Sequence, residues 1–543
     1  MIARLTATAL APVSRSLAHG RTAPVVVMKI QSRRIRNAAS HAHIPVASTP
    51  QHRIQQRYAS SVTPDTSSSL ASIQMPVSAS RPQDPTATIG RDSASSAGNK
   101  DSKKTLVLLG TGWGTTTILK NIDTKHYNVV VVSPRNYFLF TPLLPSCTVG
   151  TTESRSIMEP IRHIAGRRGK EIKFYEAECQ DIDVGKKELK IEYNSNLVEG
   201  TNANATANIK YDYLIVGVGG TYNTFGTPGV EKHACFLKEM GDASKIRRRL
   251  KDTIEKASFD SISAEERSRL LNIVVVGGGP TGVEFAGELH DLITEDLSRW
   301  VPELSKQIKI TLVEALPNIL SSFDKKLVIY TEVMFKKSGI ALRTNTKVRE
   351  VKEKSLVVSG ADGTESEIPY GTIVWAAGIS ARQFAHTLRS KVPDVQTSSR
   401  GLIIDDYLRV KGTKDIWALG DCTVSKNAPL AQVASQQGKW LSKTLDRLAK
   451  DKSIGSTDDA FVRLDQTVKP FVYSSNGSLA YIGGEKAIAE LPFFNKHITV
   501  GGPLTSLFWK SYCLWELSSV RSSLSVATDW VKRALFGRTM SVD

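Results

Sequence analysis

Two glycine-rich runs have the composition and placement of dinucleotide-binding turns. Gly110-Thr111-Gly112-Trp113-Gly114-Thr115 follows the apolar run 105–109 (TLVLL), and Gly277-Gly278-Gly279-Pro280-Thr281-Gly282 follows 271–276 (LNIVVV). Each places a buried strand before a tight turn and a helix, which brings backbone N–H groups and a helix N-terminus up to a pyrophosphate. One such run is weak evidence, because a glycine turn after a strand is often only a turn. Two in one chain point to two dinucleotides held together, as needed to pass a hydride from a nicotinamide to a flavin.

Other residues fit around these turns by position. Glu314 closes the apolar run 309–313 after the second turn, where an acid accepts hydrogen bonds from the adenosine ribose and repels a 2′-phosphate. The matching place in the first unit holds Ser133, in Val132-Ser133-Pro134-Arg135, so an acid is missing there. Thr115 replaces the third glycine and predicts a slightly looser helix–strand contact. Gly420-Asp421 follows 415–419 (DIWAL) and suits a carboxylate for the ribityl hydroxyls of FAD. Small residues in Gly217-Val218-Gly219 and Trp375-Ala376-Ala377-Gly378 would line the gap between nucleotide and flavin. Glu284, just after the second turn, is a candidate for orienting the nicotinamide.

The elements that must position these residues follow from periodicity. Runs 127–132, 211–220, 309–313, 372–376 and 415–419 read as buried strands and turns, and 115–122 as a short helix. Phe285, Leu289, Leu292 and Leu297 predict one long helix over 284–306. The fold class is α/β, with two Rossmann-like dinucleotide-binding domains and a C-terminal region. The expected divisions are 104–245 for the first part of the FAD domain, 246–389 for the NADH domain, 390–445 for the second FAD part and 446–543 for the C-terminal domain.

The 543 residues carry a formal charge of +18, but it is unevenly spread. The first 58 residues hold nine Lys or Arg, and the first acid is Asp65. An acid-free, Arg-, Ser- and Ala-rich start reads as a mitochondrial transit peptide over 1–58, with a processing site near Arg57-Tyr58-Ala59-Ser60. A merely basic tail is the alternative. Residues 59–103, rich in Ser, Thr, Pro and Ala, read as a linker. With the tail set aside, the charge points to no nucleic-acid partner. The five cysteines, Cys147, Cys179, Cys235, Cys422 and Cys513, are scattered and never spaced C-x-x-C. That predicts no metal site, disulfide framework or redox-active pair.

Longer motifs carry a family likeness. Residues 133–146 (SPRNYFLFTPLLPS), 223–230 (NTFGTPGV), 276–284 (VGGGPTGVE), 313–318 (VEALPN) and 431–436 (AQVASQ) closely resemble fungal mitochondrial type II NADH dehydrogenases. The likeness spans roughly 104–540. It implies a flavoprotein on the glutathione-reductase plan that uses FAD, oxidises NADH, reduces ubiquinone and pumps no protons. The FAD contacts it implies are Gly110, Gly112, Trp113, Gly114, Ser133, Arg135, Thr141, Gly219, Gly420 and Asp421. For NADH they are Gly277, Gly279, Gly282, Glu314, Ala377 and Gly378. The family's quinone motif A-Q-x-A-x-Q reads Ala431-Gln432-Val433-Ala434-Ser435-Gln436. Gln432 and Gln436 would present amide donors from one helix face, with small residues between them for a flat ring to approach. Several relatives have His at position 435, which puts a protonic role for Ser435 in doubt.

Two C-terminal segments are amphipathic. Leu504, Leu507, Phe508, Ser511, Tyr512, Leu514 and Trp515 share one face. Val520, Leu524, Ala527, Val531 and Leu535 share another, with Arg521, Lys532, Arg533 and Arg538 off the stripe. This is the pattern of a helix lying in a membrane interface, and six such side chains would contribute about 9 kcal/mol before ordering costs. Packing against the protein's own core or a second subunit is the alternative. The expected partners are therefore inner-membrane lipid, ubiquinone and a second copy in a homodimer. A transit peptide alone leads to the matrix face. Segments 300–310 and 508–511 resemble external members and lean to the intermembrane-space face. The rival functions are a sulfide:quinone oxidoreductase, which needs a Cys pair beside the flavin, and a flavin-fold binding module like apoptosis-inducing factor, which would lack the quinone motif and amphipathic tail.

Overall fold

A computed structural model describes residues 103–167, 169–193, 205–450, 468–493 and 496–541. The expected transit peptide and all but the last residue of the expected linker lie outside the described residues. The first half begins with strand β1 (Lys104–Leu109), helix α1 (Trp113–Asn121) and strand β2 (Tyr127–Ser133). Strands β3 (Lys173–Asp183), β4 (Glu188–Tyr193), β5 (Thr206–Lys210) and β6 (Tyr213–Val216) follow. β6, β1, β2 and β3 are parallel neighbours, and β4 and β5 extend the sheet as an antiparallel ribbon. β1 and β2 are apolar and buried along most of their length, as central strands of a covered parallel sheet are.

The chain then builds a second parallel sheet. β7 (Cys235–Phe236), helix α2 (Met240–Ala257), β8 (Asn272–Val276), helix α3 (Pro280–Leu292), β9 (Lys309–Val313), β10 (Ala341–Arg343) and β11 (Thr372–Trp375) succeed one another. The strand order is β7-β11-β8-β9-β10. The expected boundary at 245/246 falls inside α2, and β7 already belongs to the second sheet. Afterwards the chain returns: Ile416–Ala418 pairs in parallel with β6, so the first domain is interrupted by the second. A short antiparallel ribbon of Gly220–Tyr222 with Ile379–Ala381 marks the two crossings.

The long helix expected over 284–306 is not one helix. α3 starts earlier, at Pro280, and is followed by a π-helical turn at Ile293–Leu297. Helix geometry then stops at Val301, before Pro302. Leu292 and Leu297 stand five residues apart, and a five-residue turn returns Leu297 to the buried face. Pro302 has no N–H and drives the residue before it out of helix geometry.

The last part starts with helix α4 (Ala431–Lys450), which passes the expected division at 445/446. An antiparallel sheet follows, made of Ser478–Tyr481, Ala487–Phe493 and Lys496–Gly502, and then helices α5 (Pro503–Glu516) and α6 (Val520–Phe536). Among the described residues, no helix is long and apolar enough to cross a membrane.

Candidate functional site

The two glycine turns are built alike. Gly110 N–H donates to the Val132 carbonyl, and Gly277 N–H to the Val313 carbonyl, both at 2.8 Å. Both glycines have left-handed φ, +96° and +112°. A Cβ on Gly110 would run into the Gly217 carbonyl, and one on Gly277 would sit 2.9 Å from the Ala376 carbonyl. Gly112 and Gly279 are the N-caps of α1 and α3. Open space lies where their Cβ atoms would be, and no side chain caps either helix. The first-turn N–H groups therefore remain for an anion, and each cradle fits a dinucleotide pyrophosphate.

The third motif position shows how the first turn manages without glycine. A Cβ at Gly282 would collide with the Gly277 carbonyl, whereas Thr115 is buried and accommodated. Its room comes from Gly217, where an added Cβ would strike the Thr115 methyl. The loosening expected from Thr115 is thus offset across the interface. A Cβ at Gly114 would strike Leu419, and one at Gly438 the Gly114 carbonyl, so α1 and α4 cross closely here.

Glu314 lies beside the second turn, accepting from Gly278 N–H at 2.5 Å and Leu316 N–H at 2.8 Å. Ser133 shares a hydrogen bond with Thr111 Oγ1 at 3.1 Å, so it braces the first turn. Trp113 Nε1 donates to Thr141 Oγ1 at 3.1 Å. Arg135 donates to Thr111 Oγ1 at 3.3 Å and pairs with Glu239. Gly219, with φ +70°, has open space before it. Gly420 N–H donates to Gln437 Oε1 at 2.8 Å, and Asp421 meets Lys238 at 3.3 Å.

The profile of the pyridine nucleotide-disulphide oxidoreductase family matches residues 104–438, and that of the NDH2 C-terminal domain matches 476–539. A mitochondrial external alternative NADH-ubiquinone oxidoreductase of Yarrowia lipolytica is 46% identical, with 81% of each chain covered. The external NADH-ubiquinone oxidoreductase 2 of Saccharomyces cerevisiae is 45% identical over 81% of this chain and 82% of that one. This chain belongs to the alternative, type II NADH:ubiquinone oxidoreductase family. The solved structure of Plasmodium falciparum NDH2 in complex with NADH superposes with TM-score 0.74 at 28% identity, covering 81% of this chain and all of that one. A sulfide:quinone oxidoreductase of Aquifex aeolicus shares the fold alone, at 17% identity and TM-score 0.57.

The residues expected to meet quinone lie at the start of α4, where both amides bond to the main chain of residues 474–477. Gln432 donates to the Gly477 carbonyl at 2.9 Å and accepts from Asn476 N–H at 3.1 Å. Gln436 donates to the Ser474 carbonyl at 2.7 Å and accepts from Ser474 N–H at 3.1 Å. A primary amide has a second N–H, so each keeps donor capacity beyond these bonds. Ala434 is not left open for a flat ring: it is buried, with its Cβ 3.3 Å from where a Cβ on Gly420 would stand.

Glu284 is turned toward the C-terminal domain, where it accepts from Tyr481 N–H at 3.4 Å. Burial pushes its carboxyl up to about 8. One helical turn on, burial also raises Glu288, although Ser146 and Thr151 both donate to it at 2.6 Å. Burial works against the charge on Asp291 as well, but bonds from His290, Tyr481 and Gly484 hold it below its ordinary value.

The amphipathic helices keep much of their apolar face exposed. Trp515 is 85% and Leu504 78% exposed, and Leu507, Phe508, Val520, Leu524, Val531 and Leu535 are also exposed. Two of the four cations expected off the stripe are turned into the protein. Arg538 is buried against Glu295 and Asp296, both at 2.7 Å, and Arg533 bridges Glu295 and Glu485. All five cysteines are free and buried.

Residue types alone did not signal Lys238, Glu239 or Arg382. Glu239 caps α2 in a capping box with Asp242, and its carboxylate pairs with Arg135 of the first half and Arg382 beyond the second crossing. Glu is not a usual N-cap residue, so the start of α2 carried no signal of its own. Nor were the long-range ion pairs readable.

Proposed function

We propose that the chain passes two electrons from NADH to ubiquinone through FAD at the surface of the mitochondrial inner membrane, as a peripheral homodimer. It is an FAD-dependent NADH:quinone oxidoreductase that pumps no protons. The observation that carries this reading is the duplicated cradle, two glycine turns of like geometry that each open a helix with space at its N-cap glycine, on two sheets linked by a short ribbon.

FAD, when bound at the first turn, would supply the two-electron redox chemistry between NADH and quinone. The protein binds, orients and excludes water. The N-terminus of α1 holds one pyrophosphate, with Trp113, Ser133, Arg135, Thr141 and Asp421 around the rest of that nucleotide. The N-terminus of α3 holds the other, and Glu314 takes the adenosine ribose. Lys238 with Asp421, and Glu239 with Arg135 and Arg382, fix the nicotinamide half against the flavin half. Quinone meets the site near Gln432 and Gln436. The exposed faces of α5 and α6 seat the protein on lipid, and the relatives named external favour the intermembrane-space side.

The test is NADH-dependent quinone reduction by the purified, FAD-loaded protein, with sulfide as control donor. Rapid reduction with NADH and none with sulfide is expected. Sulfide-driven reduction, or no activity with either donor, overturns the reading.

A further inference from the structure

We propose that Phe225 is the aromatic wall against which the nicotinamide ring of NADH is positioned, an inference that rests on the NADH-binding role of the second half. Residues 224–227 form a tight turn, with Thr227 N–H donating to the Thr224 carbonyl at 2.9 Å. Both central residues are left-handed, Phe225 at φ +53° and Gly226 at φ +70°. Turns of this kind take Asn, Asp or Gly, because a bulky side chain is strained in that conformation. Burial does not compensate the strain, since Phe225 is 65% exposed. Strain that local packing does not explain marks a functional position.

The turn is pinned to the nicotinamide half. Phe225 N–H donates to Asn223 Oδ1 at 2.8 Å, and Trp375 Nε1, at the end of β11, donates to the Asn223 carbonyl at 3.0 Å. The ring lies over Gly378, where an added Cβ would sit 2.6 Å from Phe225 Cζ. Gly378, at φ +73°, therefore leaves room for the ring as well as supplying the turn.

Topology identifies the ligand. In the order β7-β11-β8-β9-β10, connections run to opposite sides of β8, so the crevice opens between the ends of β8 and β11. Glu314, at the end of β9, takes the adenosine end on one side. A dinucleotide crossing the Gly277 turn then extends over 376–378, which places its nicotinamide end beside Phe225. A planar ring with an apolar face is the partner an exposed aromatic recognises.

The experiment compares Phe225→Asn, Phe225→Leu and Phe225→Tyr in the full-length, FAD-loaded protein. Asn suits the left-handed turn, so its thermal midpoint should match or exceed that of the unaltered protein. The Asn and Leu variants should raise KM for NADH roughly five- to tenfold, while KM for quinone stays unchanged. They should also weaken the change that NAD⁺ titration produces in the flavin absorption spectrum, and Tyr should restore it. An Asn variant with unaltered KM for NADH, a shift in quinone KM instead, or a lowered thermal midpoint overturns the proposal. These outcomes are read on protein whose unaltered form oxidises NADH. If the unaltered form does not, the functional reading itself has failed.

Discussion

Replacing Glu284 by Gln should remove a pH-dependent weakness from the fold. Glu284 is 8% exposed, has Glu288 one turn away, and receives one long N–H bond from Tyr481 at 3.4 Å. Burial moves it from an ordinary 4.5 to about 8, so the folded protein favours the protonated acid. In the unfolded chain it titrates near 4.5. Below that pH both states hold the proton, and the neutral acid's contribution is fully present. As pH rises toward 8 the unfolded state releases the proton and the folded state keeps it, so unfolding becomes progressively easier. At about 1.4 kcal/mol for each pH unit, this contribution falls by roughly 5 kcal/mol by pH 8. Gln is neutral throughout and can accept the same Tyr481 N–H. Urea denaturation of both FAD-loaded proteins between pH 5 and 8 should show stability falling with pH more steeply in the unaltered protein. The Gln variant should be the more stable of the two at pH 8. Parallel curves would refute the argument, because they would mean that Glu284 is ionised in the fold.

Four further outcomes are expected. Glu239→Gln should weaken the pairs to Arg135 and Arg382 together; they are partly exposed, so the stability loss should be about 1 kcal/mol or less. The rate of flavin reduction by NADH, followed by stopped-flow absorbance, should fall while FAD content holds. Glu314→Gln should relax discrimination against NADPH by removing the charge opposite its 2′-phosphate, as read from kcat/KM for both nucleotides. Gln432→Ala and Gln436→Ala each delete two main-chain bonds to 474–477, costing about 1–3 kcal/mol in chemical denaturation, and should slow flavin reoxidation by quinone more than its reduction by NADH. Leu507→Glu with Trp515→Ser alters exposed side chains, so it should leave the thermal midpoint unchanged and abolish co-sedimentation with anionic liposomes at high salt.

Short-range rules set the features that could be read without coordinates. An apolar run, a glycine turn and a helix start are contiguous, so both cradles, Glu314 at its strand end and the return of the first domain near Asp421 were legible without coordinates. So were the amphipathic faces of α5 and α6, because helical spacing is a local property. Tertiary structure decided wherever partners lie far apart in the chain. Glu239 meets Arg135 and Arg382, and Lys238 meets Asp421, through contacts that no local pattern encodes. Arg533 and Arg538 read only as cations off the apolar stripe, and tertiary packing placed Glu295 and Asp296 against them. The amides of Gln432 and Gln436 share the expected helix face, but only the C-terminal segment beside that face decides what they bond. The five-residue step from Leu292 to Leu297 was visible as spacing, yet whether it ends a helix or forms a π turn depends on the core it must rejoin. Phe225 is the extreme case: its residue type opposes its backbone conformation, and contacts from Asn223 and Gly378, which no local pattern encodes, surround it there.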